Sequence, residues 1–130
     1  MVVDTHALIW FLEGNPRLGA IAKAVLMDPV SELVLPAIAL AEAVWIVDRG
    51  KTSIPSVRSL LDSIAQDARV VLYPLDLGII AQSMDLSSIN EMHDRQIVAT
   101  AKVLETQGKR VALLTCDRNI TASNLVAIVW

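Results

Sequence analysis

The sequence predicts an α/β fold, a three-layer α/β/α sandwich around a mostly parallel sheet of about five strands. Three observations predict it. Five short apolar runs, "VV" at 2–3, "ELVL" at 32–35, "RVVLY" at 69–73, "RVALLT" at 110–115 and "LVAIV" at 125–129, are continuous rather than alternating, as strands buried on both faces are. The stretches between them carry apolar residues at helical spacing, and strands that alternate with helices pair in parallel through crossovers. At 130 residues the chain has the size of one domain, residues 1–130, with one real core.

Each element has its own signal. The first strand ends at Asp4, and Leu8, Phe11 and Leu12 space a helix from about His6 to Glu13 that Gly14-Asn15-Pro16 breaks. A second helix is expected over 17–28, stopping at Pro29. The strand at 32–35 runs into Pro36, a good first residue for a helix over 36–48 that Arg49-Gly50 ends. Val57, Leu60, Leu61, Ile64, Ala65 and Ala68 form the clearest amphipathic stripe, a helix over 55–68. After the third strand come a helix over 76–85, a polar turn "DLSSINEMH", and a helix beginning at Asp94 and running to Gln107, closed by Gly108. The fourth strand ends at Cys116-Asp117, and the fifth closes the sheet.

Composition excludes some classes. Hydrophobic residues make up 54% and mean hydropathy is +0.52, a surplus that calls for a tight core and a subunit interface. The longest apolar stretch is too short for a bilayer and is interrupted by Pro36 and Glu42, and no basic region precedes an apolar run at the N-terminus. No membrane span and no signal peptide are therefore expected. A single cysteine, Cys116, makes neither a disulfide nor a zinc cluster and fits a cytoplasmic location. Net charge is −3, but four acids gathered around cations would leave −3 + 4 = +1 for the rest of the surface. Aromatics at 4% argue against a platform for stacking bases.

One residue breaks the pattern. In "LVLPAIALAEAVWIV" at 33–47, thirteen of fifteen positions are apolar, one is proline and one is Glu42. A carboxylate among buried apolar groups costs several kcal/mol, on the order of 3–5, unless a cation compensates it. Asp4 and Asp117 directly follow strands and so share the carboxyl edge of the sheet, where sites form. Glu42 lies about two turns into the helix that leaves that edge, and Asp94 begins another helix. Four carboxylates can stay ionised together only around divalent cations. An all-oxygen set suits Mg²⁺ or Mn²⁺ rather than Zn²⁺. The ordinary alternatives are helix caps for Asp4 and Asp94, a turn for Asp117, and a surface-seeking side chain for Glu42.

These residues also carry a resemblance. "VVDTHALIW" at 2–10, "LPAIALAEAVWIVDRGK" at 35–51, "HDRQIVATA" at 93–101 and "LLTCD" at 113–117 resemble the motifs of PIN domains, specifically the VapC-like toxins of toxin–antitoxin pairs. The resemblance covers residues 1 to about 119. It implies a metal-dependent ribonuclease that hydrolyses phosphodiesters with water activated by Mg²⁺ or Mn²⁺, with Asp4, Glu42, Asp94 and Asp117 as the metal-binding acids. It also implies a supporting or substrate-side role for Thr115 and a polar role for Asn119. Ala39 stands where many relatives have a hydroxyl three residues before the glutamate. RNA is the implied substrate, and a cognate antitoxin and a homodimer are the implied partners. A housekeeping RNA-processing nuclease is the alternative. A non-catalytic PIN module would usually lack an acid, and a phospho-receiver domain would need paired acids after the first strand and a late lysine, which this chain does not offer.

Lesser signals complete the reading. His6 and His93 flank proposed ligands and are read as structural hydrogen-bonders outside the metal shell. Thr5 reaches either a phosphate or its own helix terminus, and Arg95 either clamps a phosphate or pairs with Glu91 or Asp94. Trp10, Phe11 and Trp45 are assigned to core or interface, and Cys116 to a packed strand end. No pattern in Arg17, Arg49, Lys51 and Arg58 spells out an RNA sequence.

Overall fold

The computed structural model describes residues 1–130. Its strands are β1 (Val2–Val3), β2 (Leu33–Pro36), β3 (Val70–Tyr73), β4 (Leu113–Leu114) and β5 (Ile128–Val129). Its helices are α1 (Thr5–Glu13), α2 (Ala20–Met27), α3 (Ala37–Asp48), α4 (Val57–Gln66), α5 (Leu77–Ser83), α6 (Met92–Thr106) and α7 (Arg118–Ser123). The strands form one sheet in the order β3-β2-β1-β4-β5, parallel at every pairing. The expected α/β class therefore stands, with all rather than most pairings parallel.

Strand order positions the site. The chain steps outward from β1 to β2 to β3, then returns to the other side of β1 for β4. Right-handed crossovers send the helices before and after that reversal to opposite faces of the sheet. A crevice opens outside the carboxyl ends of β1 and β4, the two strands between which the direction changes.

Local chemistry explains the boundaries. The Asp4 side chain caps α1, and Gly14 ends that helix at φ 64°. Ser56 caps α4 through the Ser59 amide at 3.0 Å. α6 buries Ile97, Val98, Ala99 and Ala101 completely against the sheet. Arg69 ties the loop before β3 to the end of α2, donating to the carbonyls of Leu26 and Asp28 at 2.7 Å each and pairing with Asp67 at 3.0 and 2.8 Å. Arg69→Ala leaves those acceptors unpaired and is expected to cost about 2 kcal/mol, read as a lower midpoint in urea.

Several sequence readings need correction. Residues 118–123 form α7, capped by Asp117, where only a turn was expected; the segment is too short for periodicity to reveal it. α6 starts at Met92, capped by Glu91, so Asp94 is its third residue rather than its first. Aspartate is the favoured cap and glutamate is not, which misplaced the start. Pro36 ends β2 rather than opening α3. The sheet is not covered on both faces throughout: Val71 and Leu72 on the edge strand β3 are 58% and 50% exposed. Trp45, expected in the core or an interface, is 54% exposed under the Arg49 guanidinium and so lies outside the core. Cys116 is exposed rather than packed.

Candidate metal centre

The centre grows out of the β1–β4 register. Val3 pairs with Leu114, which sets Asp4 beside Thr115 one residue on. The Asp4 amide bonds the Leu114 carbonyl at 3.2 Å, extending the ladder to the acid itself. Both Asp4 oxygens are then engaged: Oδ1 accepts from the Thr5 amide at 2.7 Å and Oδ2 from the Thr115 hydroxyl at 2.6 Å. The side chain is thus a cap and a site residue at once. Burial pushes its pKa up, and the hydrogen bonds from Thr115 and Thr5 pull it partly back.

Glu42 lies on α3 with Ala39 and Ala43 buried on the same helix. The completely buried Thr5 hydroxyl donates to Glu42 Oε1. Thr5 therefore serves neither a phosphate nor its own helix terminus; it fixes Glu42 across two helices and supplies the polar support that Ala39 does not. The other Glu42 oxygen lies 3.9 Å from His93 Nδ1, which is 2.7 Å from Glu91 Oε1. One ligand atom from each of Glu42, Glu91 and His93 falls within 4.8 Å of the others. Glu91 was absent from the expected site, and only its place as the unusual cap of α6 brings it there.

Asp94 and Asp117 complete the cluster. Glu91 Oε2 accepts from the Asp94 amide at 3.0 Å, while no donor bonds the Asp94 carboxylate. Asp117 Oδ1 accepts from the Ile120 amide at 2.8 Å, and the Asp117 amide donates to Thr115 Oγ1 at 3.1 Å. Thr115 therefore bridges Asp4 and Asp117 from below the cleft. Asn119 accepts from the Asn90 amide at 2.9 Å and donates to the Ser88 carbonyl at 3.3 Å, pinning the loop that presents Glu91. Arg95 forms no ion pair; its Nε donates to the Ile89 carbonyl, so it holds the same loop from the other side.

An open cleft of about 660 Å³ collects Asp4, Glu42, Glu91, Asp94, Asp117 and Asn119 around one space. Thr5 and Thr115 lie buried beneath it, and Arg95 does not line it. His6 and Trp10 line its wall, and Trp10, expected in the core or an interface, is partly buried and packs against the core from there.

Electrostatics supply the fit test for a divalent cation. Asp94 is pushed up to about 7, first by burial and then by the charges of Asp117, Asp4, Glu91 and Glu42; every charged group acting on it is negative. Glu91 stays below its ordinary range despite partial burial, because the His93 and Asp94 amides and the His93 ring bond it. The carboxylates, one of them carrying no hydrogen bond, are hard oxygen donors that fit Mg²⁺ or Mn²⁺, while Cys116 on the cleft wall and His93 beside Glu42 are the softer groups nearby.

The sign of the pH dependence follows. Asp94 and Asp4 both have folded pKa values raised above the unfolded ones, so each contributes stability that is full below its ordinary carboxylate range and is lost as pH rises through its folded pKa, which for Asp94 is about 7. Cation-free protein should melt at lower temperature at pH 8 than at pH 5.5. Mn²⁺ at a hundred times its Kd stabilises by about 2.7 kcal/mol, so the midpoint should rise by about 10 °C at pH 8 and far less at pH 5.5. Equal shifts at both pH values, read by calorimetry, would remove the acids from the cation site.

The chain matches the PIN domain family over residues 1–123. No protein of curated function matches it in sequence. Its structure superposes on VapC20 of Mycobacterium tuberculosis, a sarcin–ricin loop cleaving toxin, with a TM-score of 0.67 and 16% identity, covering 96% of this chain and 95% of that one. FitAcB from Neisseria gonorrhoeae superposes with a TM-score of 0.62 and 19% identity, covering 98% of this chain and 94% of that one. At such identities the likeness concerns the fold.

Proposed function

The chain belongs to the PIN domain family, and we propose on that footing that it is a divalent-cation-dependent ribonuclease acting as the toxin of a toxin–antitoxin pair. The observation that carries the chemistry is Asp94, an acid whose carboxylate accepts no hydrogen bond and whose pKa is pushed up by burial and by the charges of four neighbouring acids. Such a group calls for a cation, and Asp4, Glu42, Asp94 and Asp117 are the residues to hold it. A bound Mg²⁺ or Mn²⁺ supplies Lewis acidity, neutralising charge on the scissile phosphate and making water acidic enough to attack at neutral pH.

The protein's own residues do the rest. Asp94 holds a proton near neutrality and gives it up when the site is filled. Asp4 cannot swing, because Thr5 and Thr115 hold both its oxygens. Glu42 is steadied by Thr5 and faces His93. Cys116 lines the cleft, but burial and the charges of Asp4 and Asp117 push its thiol up and keep it from acting as a thiolate, so attack by water is the reading, with 5′-phosphate and 3′-hydroxyl ends as products.

The toxin reading takes its support from the family and from the described toxin of the same fold. It takes further support from the surface. Trp45, Ile38 and Ala41 line a hollow of about 330 Å³ whose wall includes Glu42 and His93. An antitoxin segment seated there can bring an arginine to the acids and replace the cation's charge. Exposed Val71, Leu72, Leu77, Ile80 and Met84 provide apolar surface for a homodimer. No helix is long and apolar enough to cross a membrane, and we place its action in the cytoplasm. Expression alone should arrest growth, and co-expression of the small neighbouring gene should restore it. No growth defect, together with no partner gene, would favour a housekeeping nuclease. Light scattering at tens of micromolar should give a dimer mass; a monomer would remove the dimer.

A further inference from the structure

The cleft sets five carboxylates against one cation, Arg118, and so repels a polyanion, which calls for further holding groups at its rim. We infer that the strand leaves the cleft over Trp10, on which a base stacks, and that Arg17 and Lys23 take the phosphates beyond it; this rests on the ribonuclease reading above. Trp10 belongs to two hollows at once. It lines the acid cleft, and it also lines a neighbouring groove of about 730 Å³ that carries Arg17 and Lys23 and no acid. One indole therefore borders both spaces. Its surroundings hold it in place: His6 lies 5.5 Å away one helical turn earlier, Trp130 meets it edge-on at 5.8 Å, and the Arg17 guanidinium stands 5.9 Å from its ring. A ring so braced loses little freedom when a base stacks on it.

Charge selects the occupant. Arg17 and Lys23 are exposed and neither forms an ion pair. Glu13, which feels the charge of Arg17, is taken up by the Ser53 amide and the Asn15 side chain. Two cations free of ion pairs, one of them over the indole, in a groove that shares that indole with a cleft for phosphodiester chemistry, fit a single-stranded polyanion with planar bases. One indole at the rim of the cleft suffices for this although the chain as a whole is poor in aromatics.

The test uses a fluorescein-labelled single-stranded ten-nucleotide RNA, followed by anisotropy with Mn²⁺ and the Asp94→Asn protein so that cleavage does not intervene. Arg17→Glu with Lys23→Glu should weaken binding tenfold or more at low salt and flatten the salt dependence by about 1.4 in log–log slope, the value for two phosphates on a single strand. Lys109→Glu with Arg110→Glu, the same charge change at the far end of α6, should leave both unchanged. Trp10→Ala should weaken binding fivefold or more and Trp10→Phe should restore most of it; melting curves identify any Trp10→Ala protein that has unfolded, in which case the Arg17/Lys23 result decides. Equal effects of the two charge-reversed pairs would overturn the groove. So would unchanged RNA binding together with loss of a protein partner's affinity. Wild-type protein that neither binds nor cuts RNA would instead bring down the ribonuclease reading itself.

Discussion

Asp94→Asn is expected to reduce RNA cleavage at least about a hundredfold and, at the same time, to raise the melting temperature of the cation-free protein at pH 8. The two effects have one cause. At pH 8 the Asp94 carboxylate is charged, partly buried and faced by four other acids, the situation that pushes its pKa up to about 7. An amide of the same shape removes that repulsion and the ligand together. The stability gain should shrink as pH falls below 7, where Asp94 already carries a proton. Cleavage rate and melting midpoint measured on the same preparation at pH 5.5 and 8 check both halves. A variant less stable than the parent at pH 8, with cleavage intact, would mean that Asp94 supports structure instead of a cation.

Asp4→Asn is expected to lose activity by a similar factor, at least about a hundredfold, with stability changed by no more than about 1 kcal/mol. The asparagine carbonyl still caps α1 through the Thr5 amide, and asparagine caps as well as aspartate does. Its NH₂ group would face the Thr115 hydroxyl, which can rotate to accept. Thr115→Val is the sharper perturbation of the frame, because that hydroxyl donates to Asp4 and accepts from the Asp117 amide. Asp4→Asn protein that cuts RNA as fast as the parent, after contaminating nucleases are excluded, would take Asp4 out of the site.

Much of this was legible because the fold makes strand ends into sites. Continuous apolar runs gave all five strands, and an acid after each of two of them gave Asp4 and Asp117. Glu42 was legible because a charge in an apolar helix needs a reason. Other parts were hidden for physical reasons. Glu91 reaches the cleft by capping α6, a role that glutamate rarely takes, so propensity pointed to Asp94 as the first residue. Thr5 offered either a phosphate contact or its own helix terminus, whereas its partner Glu42 is 37 residues away, a relation only the packing of α1 on α3 creates. The same holds for Asn119 and Arg95, whose partners lie in the loop before α6. Trp10 was expected in the core or an interface; it packs against the core, but its position one turn after His6 also brings it to the wall of the cleft, which its sequence context does not reveal.

The central claim is that four acids hold a cation that hydrolyses RNA with water. The most direct measurement is the cleavage of an end-labelled single-stranded RNA by purified protein with Mg²⁺ or Mn²⁺, with EDTA, and with the cation restored, followed by analysis of the product ends. The account predicts cleavage only with the cation, recovery when it is restored, and 5′-phosphate and 3′-hydroxyl termini. Cleavage that persists in EDTA, or 2′,3′-cyclic phosphate termini from attack by the RNA's own hydroxyl, would contradict it.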